Sequence, residues 1–246
     1  VRGVQNHGRP AEAARAGART ALDLVGIEAG ELEPGDVLLS DPVPTTRTLD
    51  ARIQLLESAH PLKPGIRLRL YHGTRATNVR VRLLDRKELA PGESALARLA
   101  LQEELVALPG DRFVLRSSSP QVTVGGGTVL DPAPTGRKPE RKWLEALESG
   151  DWARVVPLTL ARVPQRGMTA EELSFVVPVA PDEVAAAAEG NSEVAKLGEL
   201  YALTGEVEAA RQRLLEAPKG RAEERPESPE LFVAEARTDT RLDGRL

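Results

Sequence analysis

The sequence predicts a mainly β chain with a C-terminal α+β part: an incomplete barrel, then a complete small β-barrel, then a winged helix-turn-helix. Three observations carry this. Residues 65–85, GIRLRLYHGTRATNVRVRLLD, alternate apolar and polar residues, the period-two signature of a half-buried antiparallel ribbon. Short strand-like runs separated by Gly/Pro turns recur from the start of the chain to residue 131. Beyond Pro139 the spacing of apolar residues changes to that of helices.

Taken in order, Val1–Val4 reads as a short strand and His7-Gly8-Arg9-Pro10 as a turn. Ala18–Val25 is a second strand, and Val37–Ser40 is a third after the turn Glu33-Pro34-Gly35-Asp36. Three short strands make a poor closed core. The chain starts at Val1 rather than Met, so it is expected to be a fragment or processed product, with the missing strands upstream. Asp41-Pro42-Val43-Pro44 is a linker, because proline restricts itself and its predecessor to extended geometry.

Leu49–Leu56 opens the second β unit. In the ribbon that follows, Ile66, Leu68, Leu70, Val79, Val81 and Leu83 form the apolar set. Arg67, Arg69, Tyr71, Arg80 and Arg82 occupy the other face, with Arg75 in the connection. Ala95–Glu103 and Arg112–Arg116 are further strands, and Gln121–Val124 and Thr128–Leu130 flank Gly125-Gly126-Gly127. Six or so strands of this length predict a small closed barrel. Pro132–Pro139 is a second linker. Arg141–Glu148 and Trp152–Val163 have helical spacing. Thr169 with Glu172 forms a capping box, and Pro181 opens another helix. Two strands broken at Gly198 and a helix over Gly205–Leu215 complete a winged helix-turn-helix.

Composition narrows the function. Hydrophobic residues make up 41% of the chain but aromatics only 3%, so the core is built from Leu, Val and Ala. The net charge of −4 means that any polyanion-binding surface is local. With no cysteine there is no disulfide, thiolate metal site or cysteine nucleophile. No apolar run reaches membrane-spanning length, and the N-terminus has no signal-peptide pattern.

Five arginines without an acid between Arg67 and Arg82 make one ribbon face cationic. A solvated polar face and a phosphate-contacting surface are both open readings of it. Gly125-Gly126-Gly127 lacks the G-x-x-x-x-G-K-[ST] context and reads as a strained turn between strands. His7, His60 and His72 are too scattered to ligate a metal, and no catalytic pair or G-x-S-x-G motif is present. Arg19 heads a strand of small and apolar residues; it is either an exposed arginine or a donor fork for an anion. The helix over 181–190, PDEVAAAAEG, is acidic, which favours packing over groove reading.

The segments VRGVQNHGRPAEAARAGARTALDL, LEPGDVLLSDP, RLRLYHGTRATNVRVRLLD and ALPGDRFVLRSSSPQVTVGGGTVLDP together resemble the SelB-type selenocysteine-specific elongation factors, translational GTPases related to EF-Tu. The resemblance implies a partial EF-Tu-like domain II barrel over 1–45 and an EF-Tu-like domain III barrel over 46–133. A linker over 134–140, a winged-helix-like domain over 141–215 and a tail or truncated second winged helix over 216–246 follow. It implies a cytoplasmic factor that carries selenocysteyl-tRNA to the ribosome at recoded UGA codons. The mRNA hairpin would be gripped by C-terminal domains missing or degraded here. On the same resemblance Arg19 holds the selenocysteyl group, and Arg67, Arg69, Arg75, Arg80 and Arg82 are tRNA-binding candidates. GTP and Mg2+ belong to the intact family protein. This chain has no P-loop, no N-K-x-D and no D-x-x-G in a switch context, so it is expected to hold no cofactor and not to be active alone. A fragment of a general EF-Tu-like translation GTPase and a non-catalytic protein-docking adaptor are the alternatives.

Overall fold

The computed structural model describes residues 1–40, 42–134, 136, 139–164 and 166–224. The chain begins with three short antiparallel strands, β1 (Gly3–Asn6), β2 (Arg9–Pro10) and β3 (Thr20–Asp23), in the order β2-β1-β3. No described side chain among residues 1–48 is fully buried. Leu22, Val25, Ile27, Leu32, Val37 and Leu38 are all exposed. Val37–Ser40, expected as a strand, joins none of the described sheets. An apolar run becomes a strand only when a neighbouring strand takes up its backbone hydrogen bonds in a regular ladder, and these residues lie in no such ladder.

The barrel has six strands: β4 (Thr46–Leu55), β5 (Arg67–His72), β6 (Arg75–Leu83), β7 (Ser94–Leu105), β8 (Arg112–Arg116) and β9 (Thr123–Asp131). They close in the order β4-β7-β6-β5-β8-β9, every pair antiparallel. Alternation sends Leu49, Ala51, Ile53 and Leu55 of β4 inward. Leu68 and Leu70, Val79 and Val81, Leu99 and Leu101, and Phe113 and Leu115 meet them there. This is the apolar set expected of the ribbon, in the register Leu68↔Val79 and Arg67↔Arg80. Thr77, also buried, accepts the Glu103 N–H at 3.0 Å through its hydroxyl, so the core leaves that group satisfied.

Within the barrel, the β5–β6 turn and the glycine run differ from the sequence reading. The β5–β6 turn is shorter than expected, and Arg75 is the first residue of β6, paired with His72, rather than part of the connection. Gly125–Gly127 is no turn. All three glycines lie inside the continuous strand β9, between β4 and β8, and none has a positive φ. A Cβ on Gly126 would stand 2.6 Å from the Phe113 carbonyl oxygen, and Cβ atoms on Gly125 and Gly127 would lie even closer to the carbonyls of Gln54 and Arg52. The glycines let neighbouring backbone approach where the barrel closes.

After the barrel come α1 (Arg141–Ser149), α2 (Trp152–Ala161), α3 (Ala170–Ser174) and α4 (Pro181–Glu189). An antiparallel ribbon, β10 (Val194–Leu197) and β11 (Leu200–Leu203), leads into α5 (Thr204–Glu224). The capping box forms: Glu172 N–H donates to the Thr169 hydroxyl at 3.2 Å, and Thr169 N–H to the Glu172 carboxylate at 3.1 Å. α5 continues past the expected end at Leu215. Part of the linker expected over 134–140, and residues 225–246 of the expected tail, lie outside the described residues.

The helices form a second core around Trp143, Leu144, Val156, Leu160, Leu173 and Val184. Leu96 and Leu130, from the outer side of the barrel, belong to that core. One side of the barrel, built from β4, β7 and β9, is therefore covered.

Candidate nucleic-acid interface

The covered side shows what an arginine does when it is structural. Asp50 and Asp131 face each other across β4 and β9, and like charges so placed repel. Each carboxylate is neutralised. Arg98 donates twice to Asp50, at 2.7 Å and 2.7 Å, and once to the Gly136 carbonyl. Arg162 donates to Asp131 at 2.8 Å and lies 3.7 Å from the centre of the Trp143 ring. Arg52 grips Glu148 of α1 through two donors. Their protonation follows from these contacts. The bonds to Glu148 and Asp50 raise the Arg52 and Arg98 guanidiniums above their ordinary range. Burial pushes the Asp131 carboxyl up despite its partner Arg162. These contacts fasten the helices to the barrel.

The opposite side, built from β6, β5 and β8, is open. Arg67 and Arg80 are a cross-strand pair, both exposed. With Asn78, Gln102 and Ser118 they line an open groove of about 430 Å³ that contains no carboxylate. Arg69 stands opposite Arg116 on β8, four residues on from the exposed Arg112. Among the described residues none of Arg67, Arg69, Arg80, Arg112 and Arg116 is ion-paired with a carboxylate. Five unneutralised guanidiniums on adjoining strands give a local positive field on a chain whose net charge is −4.

The other candidates fall elsewhere. Arg82 is exposed at the border of the two sides, across from Arg98. Arg75 is engaged within the molecule. It pairs with Glu103 at 3.7 Å, and a side chain at Gly35, whose φ is +110°, would meet its Cδ at 2.5 Å. The loop before the barrel thus rests on Arg75. Arg19 is exposed, one residue before β3. The structure brings Arg67, Arg69 and Arg80 together with Arg112 and Arg116. These last two are absent from the sequence-derived set, although R-F-V-L-R carries the same alternation as the ribbon. What was missing was the pairing of β5 with β8, some forty residues on.

The glycine run lies flush against neighbouring carbonyls, and no helix starts from it, so it forms no phosphate cradle for GTP. Among the described residues there is no cluster of His, Cys, Asp and Glu that could hold a metal ion. No described helix is long and apolar enough to cross a membrane.

Comparison with known proteins matches residues 49–136, the barrel, to the beta-barrel domain of selenocysteine-specific elongation factors. The barrel belongs to the selenocysteine-specific elongation factor family. A curated family member from Desulfomicrobium baculatum is 39% identical over 186 residues, 72% of this chain and 28% of its own length. One from Escherichia coli K12 is 36% identical over 154 residues, 60% of this chain and 23% of its own. The chain therefore spans about a quarter of the curated relatives it matches. The fold is also that of a bacterial selenocysteine-specific elongation factor, EF-Sec, known from a crystal structure. It superposes with a TM-score of 0.69 at 23% identity, over 97% of this chain and 37% of the other.

Proposed function

We propose that the open side of the barrel is an RNA-binding face, by which a selenocysteine-specific elongation factor holds selenocysteyl-tRNA for delivery to the ribosome at recoded UGA codons. The observation that carries this reading is the contrast between the two sides of one barrel. Arg52 and Arg98 are matched to carboxylates, whereas Arg67, Arg69, Arg80, Arg112 and Arg116 are left without them. A phosphate backbone supplies the missing negative charge. Arg82 and Arg75 flank that face. Arg19, exposed ahead of β3, is the donor fork assigned to the selenocysteyl group. A selenol is largely ionised at neutral pH, and a permanently charged guanidinium favours the anion. GTP hydrolysis with Mg2+ falls to segments of the family protein that this chain does not contain. The acidic α4, with Asp182, Glu183 and Glu189, makes the helical unit a poor direct grip for the mRNA hairpin.

The test is binding of the selenocysteyl-tRNA acceptor arm to the full chain across a salt series. Affinity falls with salt, and Arg67→Ala with Arg80→Ala lowers the log–log slope by about 0.9 for each lost phosphate contact. An affinity indifferent to salt, or unchanged by the double substitution, contradicts the reading. A salt-indifferent affinity for a protein partner would instead support the docking adaptor.

A further inference from the structure

The geometry points to a phosphate clamp formed by Arg69, Tyr71 and Arg116 on the open side of the barrel, built to take one phosphodiester of an RNA strand. The choice of RNA rests on the reading above; the clamp itself rests on four observations.

Arg69 and Arg116 are directly opposed across β5 and β8, an arrangement that costs free energy unless an anion lies between them. Both guanidiniums reach the same aromatic ring, with their central carbons 5.9 Å and 5.7 Å from the centre of Tyr71. The ring thus holds two like charges near one point, an attraction that only partly offsets their repulsion. The Nε atoms of both arginines are shielded from solvent and have no hydrogen-bond partner. Buried donors are ordinarily satisfied; the Nε atoms of Arg75 and Arg162 share this state beside carboxylate partners, whereas Arg69 and Arg116 adjoin each other with no carboxylate among the described residues ion-paired to either. Lastly, the clamp is partly preorganised: Arg116 Nη2 donates to the Gln121 carbonyl at 2.8 Å, which anchors that guanidinium and leaves its remaining donors available.

A phosphate oxygen fits these requirements. It is an acceptor with several lone pairs, and the planar fork of arginine matches it in pairs of parallel bonds. The next row of the sheet continues the track. Arg67 and Arg80 line the carboxylate-free groove one step along β5, and alternate residues of a strand lie about 7 Å apart, the scale of one nucleotide step. A strand held at the clamp can therefore continue over Arg67 and Arg80.

The test uses the full chain with its arginine Nε–H groups observed by nitrogen-15 NMR, titrated first with inorganic phosphate and then with an acceptor-arm RNA hairpin. The Arg69 and Arg116 signals are expected to shift together and saturate with a single affinity. Arg69→Ala or Arg116→Ala lowers that affinity about tenfold, the effect of losing a charge-assisted hydrogen bond. Arg116→Lys, which keeps the charge and loses the fork, is expected to lower it by a similar factor. Arg86→Ala, at an arginine already paired with Asp85 and Glu93, leaves it unchanged. Arg69 and Arg116 signals that ignore phosphate, or an Arg116→Lys variant that binds like wild type, overturn the clamp. The RNA arm separates this proposal from the one it rests on. If phosphate binds at the clamp and the hairpin does not displace it, the clamp stands and the RNA reading of the face fails. If the hairpin binds with salt dependence while the two Nε–H signals stay still, the clamp fails and the RNA reading stands.

Discussion

The two outer sides of this barrel are made from the same alternating pattern, yet their arginines have opposite surroundings. On the covered side Arg98 and Asp50 retain only 11% and 3% of their side-chain exposure, and every charge there is met by another. On the open side Arg67 and Arg80 face solvent and one another. A buried arginine must be paired because an isolated charge cannot leave water. An exposed arginine carries no such requirement, so a cluster of them without acids is not explained by folding. The covered arginines belong to stability, and the open ones are those proposed to bind RNA.

That division can be broken at several points. The largest effect is expected at the strand that joins the two sides. Gly127→Val would drive a branched side chain into the Arg52 carbonyl and the Phe113 ring. The loss should exceed about 4 kcal/mol and abolish both the helical docking and the open face, as seen by chemical denaturation. Arg162→Ala comes next. It leaves Asp131 buried without its partner and removes the cation from the Trp143 ring, for a loss of about 3–5 kcal/mol. RNA affinity should survive wherever the variant remains folded. Arg67→Ala with Arg80→Ala should do the reverse, changing stability by less than about 0.5 kcal/mol each while the RNA salt slope falls.

The smallest effect is a matter of pH. Burial raises the Asp131 carboxyl above its unfolded value. Its contribution to stability is thus complete below the ordinary aspartate range and is lost as pH rises through the folded value. Denaturation across a pH series should find the stability gap between wild type and Asp131→Asn widest in acid and narrowing toward neutrality. A gap that widens with rising pH would place Asp131 among groups stabilised by their charge. Glu104 and Glu189 are such groups: hydrogen bonds from Thr45 and Arg47, and from Lys196 and Tyr201, lower them, so they contribute above the ordinary glutamate range and lose that contribution as pH falls.

Much of the barrel was legible because its information is local. Leu68, Leu70, Val79 and Val81 announce an inward face by alternation alone, and Thr169 with Glu172 announces a helix start within four residues. Errors arose where the deciding partner is distant. A glycine run serves a turn or a close approach equally well, and only the carbonyls of Arg52, Gln54 and Phe113 on either side distinguish them. Val37–Ser40 has the composition of a strand but lies in none of the described sheets. The candidate site was half visible. The ribbon arginines stood out, but Arg112 and Arg116 join them only through the pairing of β5 with β8. Nothing in the run of sequence marks Arg52, Arg98 and Arg162 as the paired ones, because Glu148, Asp50 and Asp131 lie 96, 48 and 31 residues from them.

Amide hydrogen exchange on the full chain, with and without the selenocysteyl-tRNA acceptor arm, tests the separation of the two sides most directly. Protection is predicted to rise across Arg67–His72, Arg75–Leu83 and Arg112–Arg116 and to stay constant in α1, α2 and α4. Protection confined to the helices, or no change along β5, β6 and β8, would contradict it.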